Sequence, residues 1–136
     1  MLTQPIPALT LLWAGMILGI SFLESWVKFR APSLSKAVGL DVGRTVFNFF
    51  HKAQCILLSG LILIGMLMTL TLVNWLMLGM LTAVFILQLT WPFPILSQHV
   101  TMILAGKKPP HSQAHVLYGI LEVAKFLILI GFSVLS

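Results

Sequence analysis

The segment His115-Val-Leu-Tyr118-Gly-Ile-Leu-Glu122-Val-Ala-Lys125 sets an imidazole, a phenol, a carboxylate and an amine into an otherwise apolar run. Their spacing, i, i+3, i+7 and i+10, brings all four to one broad face of a helix. Such groups hold and release protons, or ligate a cation or a polar ligand. Ionisable side chains at membrane depth are expensive, so they turn toward a protein interior or a wet cavity and mark function. Ser21, Glu24 and Lys28 share a second face, with Glu24 and Lys28 in the i, i+4 order that favours an ion pair. Asn48, His51 and Gln54 follow helical spacing along a third. Gln88 lies roughly two turns before a Trp91-Pro92-Phe93-Pro94 break.

The elements that carry these groups follow from composition. The chain has 136 residues, of which 59% are hydrophobic and 8% charged, against about 25% charged in a soluble domain. A soluble fold of this size leaves roughly a third of its unfolded surface exposed, so lipid is the solvent that suits so apolar a chain. The expectation is one all-α domain over residues 1–136, an integral membrane four-helix bundle. Its spans are expected near 8–27, 46–72, 75–91 and 114–135. The first run lacks the basic n-region and the clear cleavage site of a signal peptide, and is read as a span. Residues 29–43 read as a loop with Pro32, Gly39 and Gly43 as breakers. Asn74 reads as a helix N-cap and Gly106 as a position just past a helix end. Gly15 and Gly19 make a short small-residue pair suited to close helix approach.

The net charge of +5 reads as a topology signal, and nucleic acid is not an expected partner. Lys28, Arg30, Lys36, Arg44 and Lys52 flank the connection after the first span, and Lys107 and Lys108 follow the third. The turn between spans two and three and both tails hold no lysine or arginine. The positive-inside rule then puts both long connections in the cytoplasm and both termini outside the cytoplasmic (plasma) membrane. On that topology every span brings polar groups into the cytoplasmic half. The expected ligand-binding pocket is built from Glu24, His51, Gln54, Gln88, His115, Tyr118, Glu122 and Lys125.

The chemistry of that pocket has several alternatives. Binding or passage of a small polar ligand or a cation leads. A proton-coupled carrier wants a buried carboxylate beside a histidine and an amine, though four helices are few for transport without a second copy. An enzyme with Glu122 or His51 as general base on a lipid-soluble substrate stays open, as does an accessory subunit whose polar groups only fix helix packing. Haem held by His51 and His115 needs two imidazoles at one depth. No metal is expected; a site, if present, would draw on Glu24, His51, His115 and Glu122. The paired Glu-x-x-His signature of di-iron bundles is missing, and neither a nucleophile motif nor a phosphate-binding glycine loop occurs. No cofactor is named by the sequence. Cys55 is the only cysteine, so an internal disulfide is excluded and a packing role is expected. His99 reads as interfacial and His111 as a loop residue. Expected partners are membrane lipid and either a second copy of the chain or another membrane subunit.

Glu24-x-x-x-Lys28-Phe29-x-Ala31-Pro32, Gly39-x-x-x-Gly43-Arg44-x-Val46-Phe47 and His115-x-x-Tyr118-x-x-x-Glu122-x-x-Lys125 resemble a group of small uncharacterised four-helix membrane proteins from bacteria. The group shares its architecture with a eukaryotic transmembrane family placed among domains of unknown function. The resemblance covers most of the chain and implies the architecture, with no activity to carry over. The relatives carry more arginine at the third-span exit, where this chain has Pro94, Gln98 and His99. That departure weakens a headgroup-binding role for this corner.

Overall fold

The protein is described from a computed structural model, over residues 5–135. Every regular element among the described residues is helical. Four helical stretches are long and apolar enough to cross a membrane: Pro5–Arg30, Lys36–Leu67, Leu72–Leu104 and Ala114–Leu135. We label Pro5–Arg30 α1, Lys36–Leu67 α2, Leu72–Thr90 α3, Pro92–Leu104 α4 and Ala114–Leu135 α5. Large apolar side chains such as Ile56, Met66, Leu72, Leu127 and Val134 stand on the outer surface. A contiguous apolar exterior of this kind needs a non-aqueous environment.

Helix α1 is not uniform. It is α-helical over Pro5–Met16, widens into a π-helical stretch over Ile17–Glu24, and tightens to 3-10 over Lys28–Arg30. An α-helix turns ~100° per residue, so a step of four overshoots a full turn by ~40°. The wider π turn rotates less per residue. Buried Trp13 and Ile17 and the half-buried Ser21, each four apart, therefore keep to the inner face where a plain α-helix would carry Ser21 away.

Helix α2 begins at Lys36, ten residues before the expected 46, and ends at Leu67 instead of 72. Ser35 caps it, its hydroxyl accepting from the Val38 N–H at 3.2 Å. Gly39 and Gly43 are thus helix residues where the sequence suggested a loop. They serve close approach: a Cβ at Gly39 would meet the Phe29 ring at 2.5 Å, and one at Gly43 would meet Lys28 Nζ at 2.5 Å. The end of α1 folds back over the start of α2 through these two positions.

The short connection before α3 is capped by Thr71, whose hydroxyl accepts from the Asn74 N–H. Asn74, expected as the cap, is instead a buried residue of α3. The third span breaks at Trp91. Pro92 opens α4 at its first turn, where its missing N–H costs least. The helix then runs on to Leu104, close to the helical continuation expected over residues 95–105 beyond the break. Gly106, at φ +78°, closes α4: its N–H reaches the Ile103 carbonyl and the Lys107 N–H the Met102 carbonyl, a Schellman end.

Helix α5 packs most closely on α1 and α3, and also on α4. Helix α2 packs on α1 and α4. The interior lies between α2 and α5. Trp13, Ile17, Leu61, Leu81, Phe85, Leu129 and Phe132 form its apolar core. Gly15 and Gly19 meet nothing within 4 Å, so the pair expected to seat a helix faces outward from this chain. Cys55 is exposed rather than packed.

Candidate functional site

The interior is polar at its centre. Glu122 and Lys125, three apart on α5, form an ion pair at 2.5 Å with side chains 2% and 0% exposed. Four-residue and three-residue steps share a helix face, so both project inward with Tyr118 and Leu121. The Glu122 carboxylate accepts from Ser21 Oγ of α1, and from Gln88 Nε2 of α3 at 2.9 Å. Lys125 Nζ donates a second bond to Gln54 Oε1 of α2 at 2.6 Å and lies 5.2 Å from the Phe85 ring centroid. Its three N–H groups are thus met by a carboxylate, an amide oxygen and an aromatic face. Trp13 Nε1 donates to the same Gln54 oxygen at 2.9 Å, and the Trp13 ring stands edge-on to Phe85.

One turn before Glu122 on α5, the Tyr118 hydroxyl and His51 Nε2 share a hydrogen bond of 2.8 Å. Both residues are buried. The His51 ring is walled by aromatic side chains: Phe93 edge-on at 4.4 Å between centroids, with Phe47 and Phe85 farther off. Gln88 also donates to the Tyr118 carbonyl at 3.4 Å, which ties the two levels together.

Buried polar atoms are ordinarily hydrogen-bonded, and each exception calls for an explanation. Three exceptions cluster here: Gln54 Nε2, Gln88 Oε1 and His51 Nδ1. The amide orientations are fixed by their partners, since Gln54 Oε1 faces two donors and Gln88 Nε2 faces two acceptors. A donor, an acceptor and an imidazole nitrogen are therefore left beside a buried ion pair.

Of the eight residues expected to line one pocket, the structure joins six. Gln54, Gln88, Glu122 and Lys125 form the central network, and His51 and Tyr118 the layer next to it. Glu24 lies apart, partly exposed and paired with Lys28 at 3.6 Å. His115 is exposed at the start of α5 and turns away from the interior. It sits three residues from Tyr118, a step that falls short of a full turn, and so close to the helix start the bundle does not enclose it. A bis-histidine haem site is thereby corrected: His51 is buried on Tyr118 while His115 faces outward. Among the described residues no three of His, Cys, Asp and Glu come together as metal ligands, so Glu24, His51, His115 and Glu122 do not form one site.

No protein-family model, curated protein or solved structure matches the chain. Function must be read from the geometry.

The expected pocket left out several contributors, among them Trp13, Ser21 and Phe93. Trp13 was the legible one, because a tryptophan deep in an apolar helix still needs a partner for its N–H. Ser21 reaches Glu122 only because α1 widens, which residue spacing does not reveal. Phe93 follows the break at Trp91–Pro92, and its contact with His51 depends on how α4 re-enters the bundle.

Proposed function

We propose that the chain is an integral protein of the cytoplasmic membrane, with both termini outside, that binds a small cation at Glu122 and passes it through the bundle. The proton is the cation that suits the site. Glu122 is already enclosed by Ser21, Gln88 and Lys125 at hydrogen-bond distance, so anything larger must displace them. A proton moves along bonds already made. The carrying observation is the Glu122–Lys125 pair itself, fully enclosed in the middle of an apolar helix and flanked by unpartnered polar atoms. Intramembrane carboxylates set beside histidine and amine groups are typical of proton relays. Membership of the small bacterial four-helix group is part of the same proposal and adds architecture only.

Proteoliposomes enclosing a pH-sensitive dye test it under an imposed potassium diffusion potential. The wild type should acidify the lumen faster than empty vesicles, and Glu122→Gln should fall to the empty-vesicle rate. Equal flux in wild type and Glu122→Gln would sink the proposal.

One observation favours a second reading, a packing role within a larger membrane assembly. Trp13 and Ser21, Gln54, Gln88, and Glu122 with Lys125 link α1, α2, α3 and α5 in one network. If packing were its whole purpose, neutral side chains of like volume would serve as well. A wild type with no flux above empty vesicles, together with a Glu122→Gln, Lys125→Met protein that folds as well as it does, would decide for packing.

A further inference from the structure

A polar cleft of about 300 Å³ opens between α2 and α4, lined by Arg44, Thr45, Asn48, Phe93 and Ser97. Its wall is held together: Arg44 reaches the Ser97 carbonyl at 3.2 Å, Thr101 Oγ1 at 2.6 Å and Asp41 at 2.7 Å. Arg44 is therefore neutralised where it stands. Asn48 is exposed and makes no hydrogen bond beyond the helix backbone that the structure records, leaving its amide for water. Among the described residues, Phe93 alone is shared by this cleft and the aromatic box around His51. The ring is half-buried, with His51 4.4 Å from its centroid.

We propose that this cleft is the aqueous mouth of the Glu122 site, and that the Phe93 ring is the door between it and the His51–Tyr118 pair. The inference rests on Glu122 being a proton site. Three features carry it. His51 is buried, and its Nδ1 has no partner. Phe93 separates that ring from a polar cleft wide enough for water. Phe93 also sits in the first turn of α4, between Pro92 and Pro94, neither of which has an N–H to lock the backbone to α3.

The proton balance is simple. A hydronium ion in the cleft gives its proton to His51 Nδ1 and leaves water, and the Nε2–H proton passes to the Tyr118 oxygen. The phenol hydroxyl, which at rest is bonded to His51 alone, then swings toward Glu122, one turn away on the same helix face, and hands on its own proton. Tyr118 ends neutral, His51 ends as the other tautomer, and Glu122 gains one proton. The charged and titratable groups along the route are Asp41 and Arg44 at the mouth, Tyr118 beside His51, and Glu122 and Lys125 beyond it.

The test reads solvent exchange of the His51 ring N–H by nitrogen NMR on ¹⁵N-histidine protein in lipid nanodiscs. Phe93→Ala and the milder Phe93→Leu should speed exchange, and Phe93→Trp should slow it. Phe49→Ala, on the other side of α2, should leave it unchanged. In a Cys55→Ser background, Asn48→Cys should react with a charged, membrane-impermeant thiol reagent. Exchange that ignores all three Phe93 variants overturns the door. An Asn48→Cys protein that stays unlabelled, while Lys107→Cys labels, overturns the aqueous mouth. Loss of Glu122-dependent flux as a phenomenon, with exchange still controlled by Phe93, overturns the Glu122 proposal and not the door.

Discussion

Removing the charges of the Glu122–Lys125 pair one at a time and then together separates a costly charge from a useful one. The two groups meet at 2.5 Å with 2% and 0% of their side chains exposed. Lys125→Met leaves the carboxylate with donors from Ser21 and Gln88 only, and nothing to offset its charge. Breaking a buried pair from one side costs about 3–5 kcal/mol. Gln54 keeps its Trp13 bond in that variant, so little is added from that quarter. Glu122→Gln removes the opposite charge and should also destabilise, since the ammonium then has only neutral acceptors and the Phe85 face. The double variant Glu122→Gln, Lys125→Met strands no charge and should return to within ~1 kcal/mol of the wild type. With each single variant at about 3–5 kcal/mol, the cycle should then show a coupling of at least about 5 kcal/mol. Equilibrium unfolding in mixed micelles, followed by tryptophan fluorescence, measures all four proteins. Additivity within ~0.5 kcal/mol would refute the reasoning, because it would mean that the two groups do not depend on each other.

Three further outcomes follow from the same geometry. Tyr118→Phe removes the 2.8 Å bond to His51 and leaves both ring nitrogens unpartnered; it should cost ~1–3 kcal/mol in the unfolding assay and slow proton flux. Trp13→Phe keeps the apolar bulk against Phe85 and drops only the N–H to Gln54, which retains Lys125; a loss of ~1 kcal/mol is expected, with flux intact. Reporter fusions at the two termini should both read outside, and impermeant labelling of Lys107→Cys should occur only from the cytoplasmic face; the reverse pattern would overturn the orientation drawn from the lysines and arginines.

The sequence was most legible where one physical signal dominates. Apolar length marked four spans, the Trp91–Pro92 break ended a helix where a proline must, and Gly106 took the positive-φ position after α4. The face carrying Tyr118, Glu122 and Lys125 followed from helical spacing, and all three are buried together. Spacing could not tell how far the bundle encloses a helix, and so His115, on the edge of that face, falls outside. Gly39 and Gly43 looked like breakers because their use as contact points for Phe29 and Lys28 depends on a packing partner remote from their own helix. The widened turn over Ile17–Glu24 has no sequence signature that residue types supply, yet it decides that Ser21 reaches Glu122.

The most direct test of the proton site is the infrared spectrum of the carboxyl groups. The chain holds only three acidic residues, so the carbonyl-stretch region of protonated carboxylic acids is sparse. A pH step on protein in lipid films should produce such a band that shifts in D₂O and vanishes in Glu122→Gln. A spectrum in which Glu122 stays a carboxylate throughout, identical with and without the pH step, would contradict the central claim and leave the buried pair as an inert lock between helices.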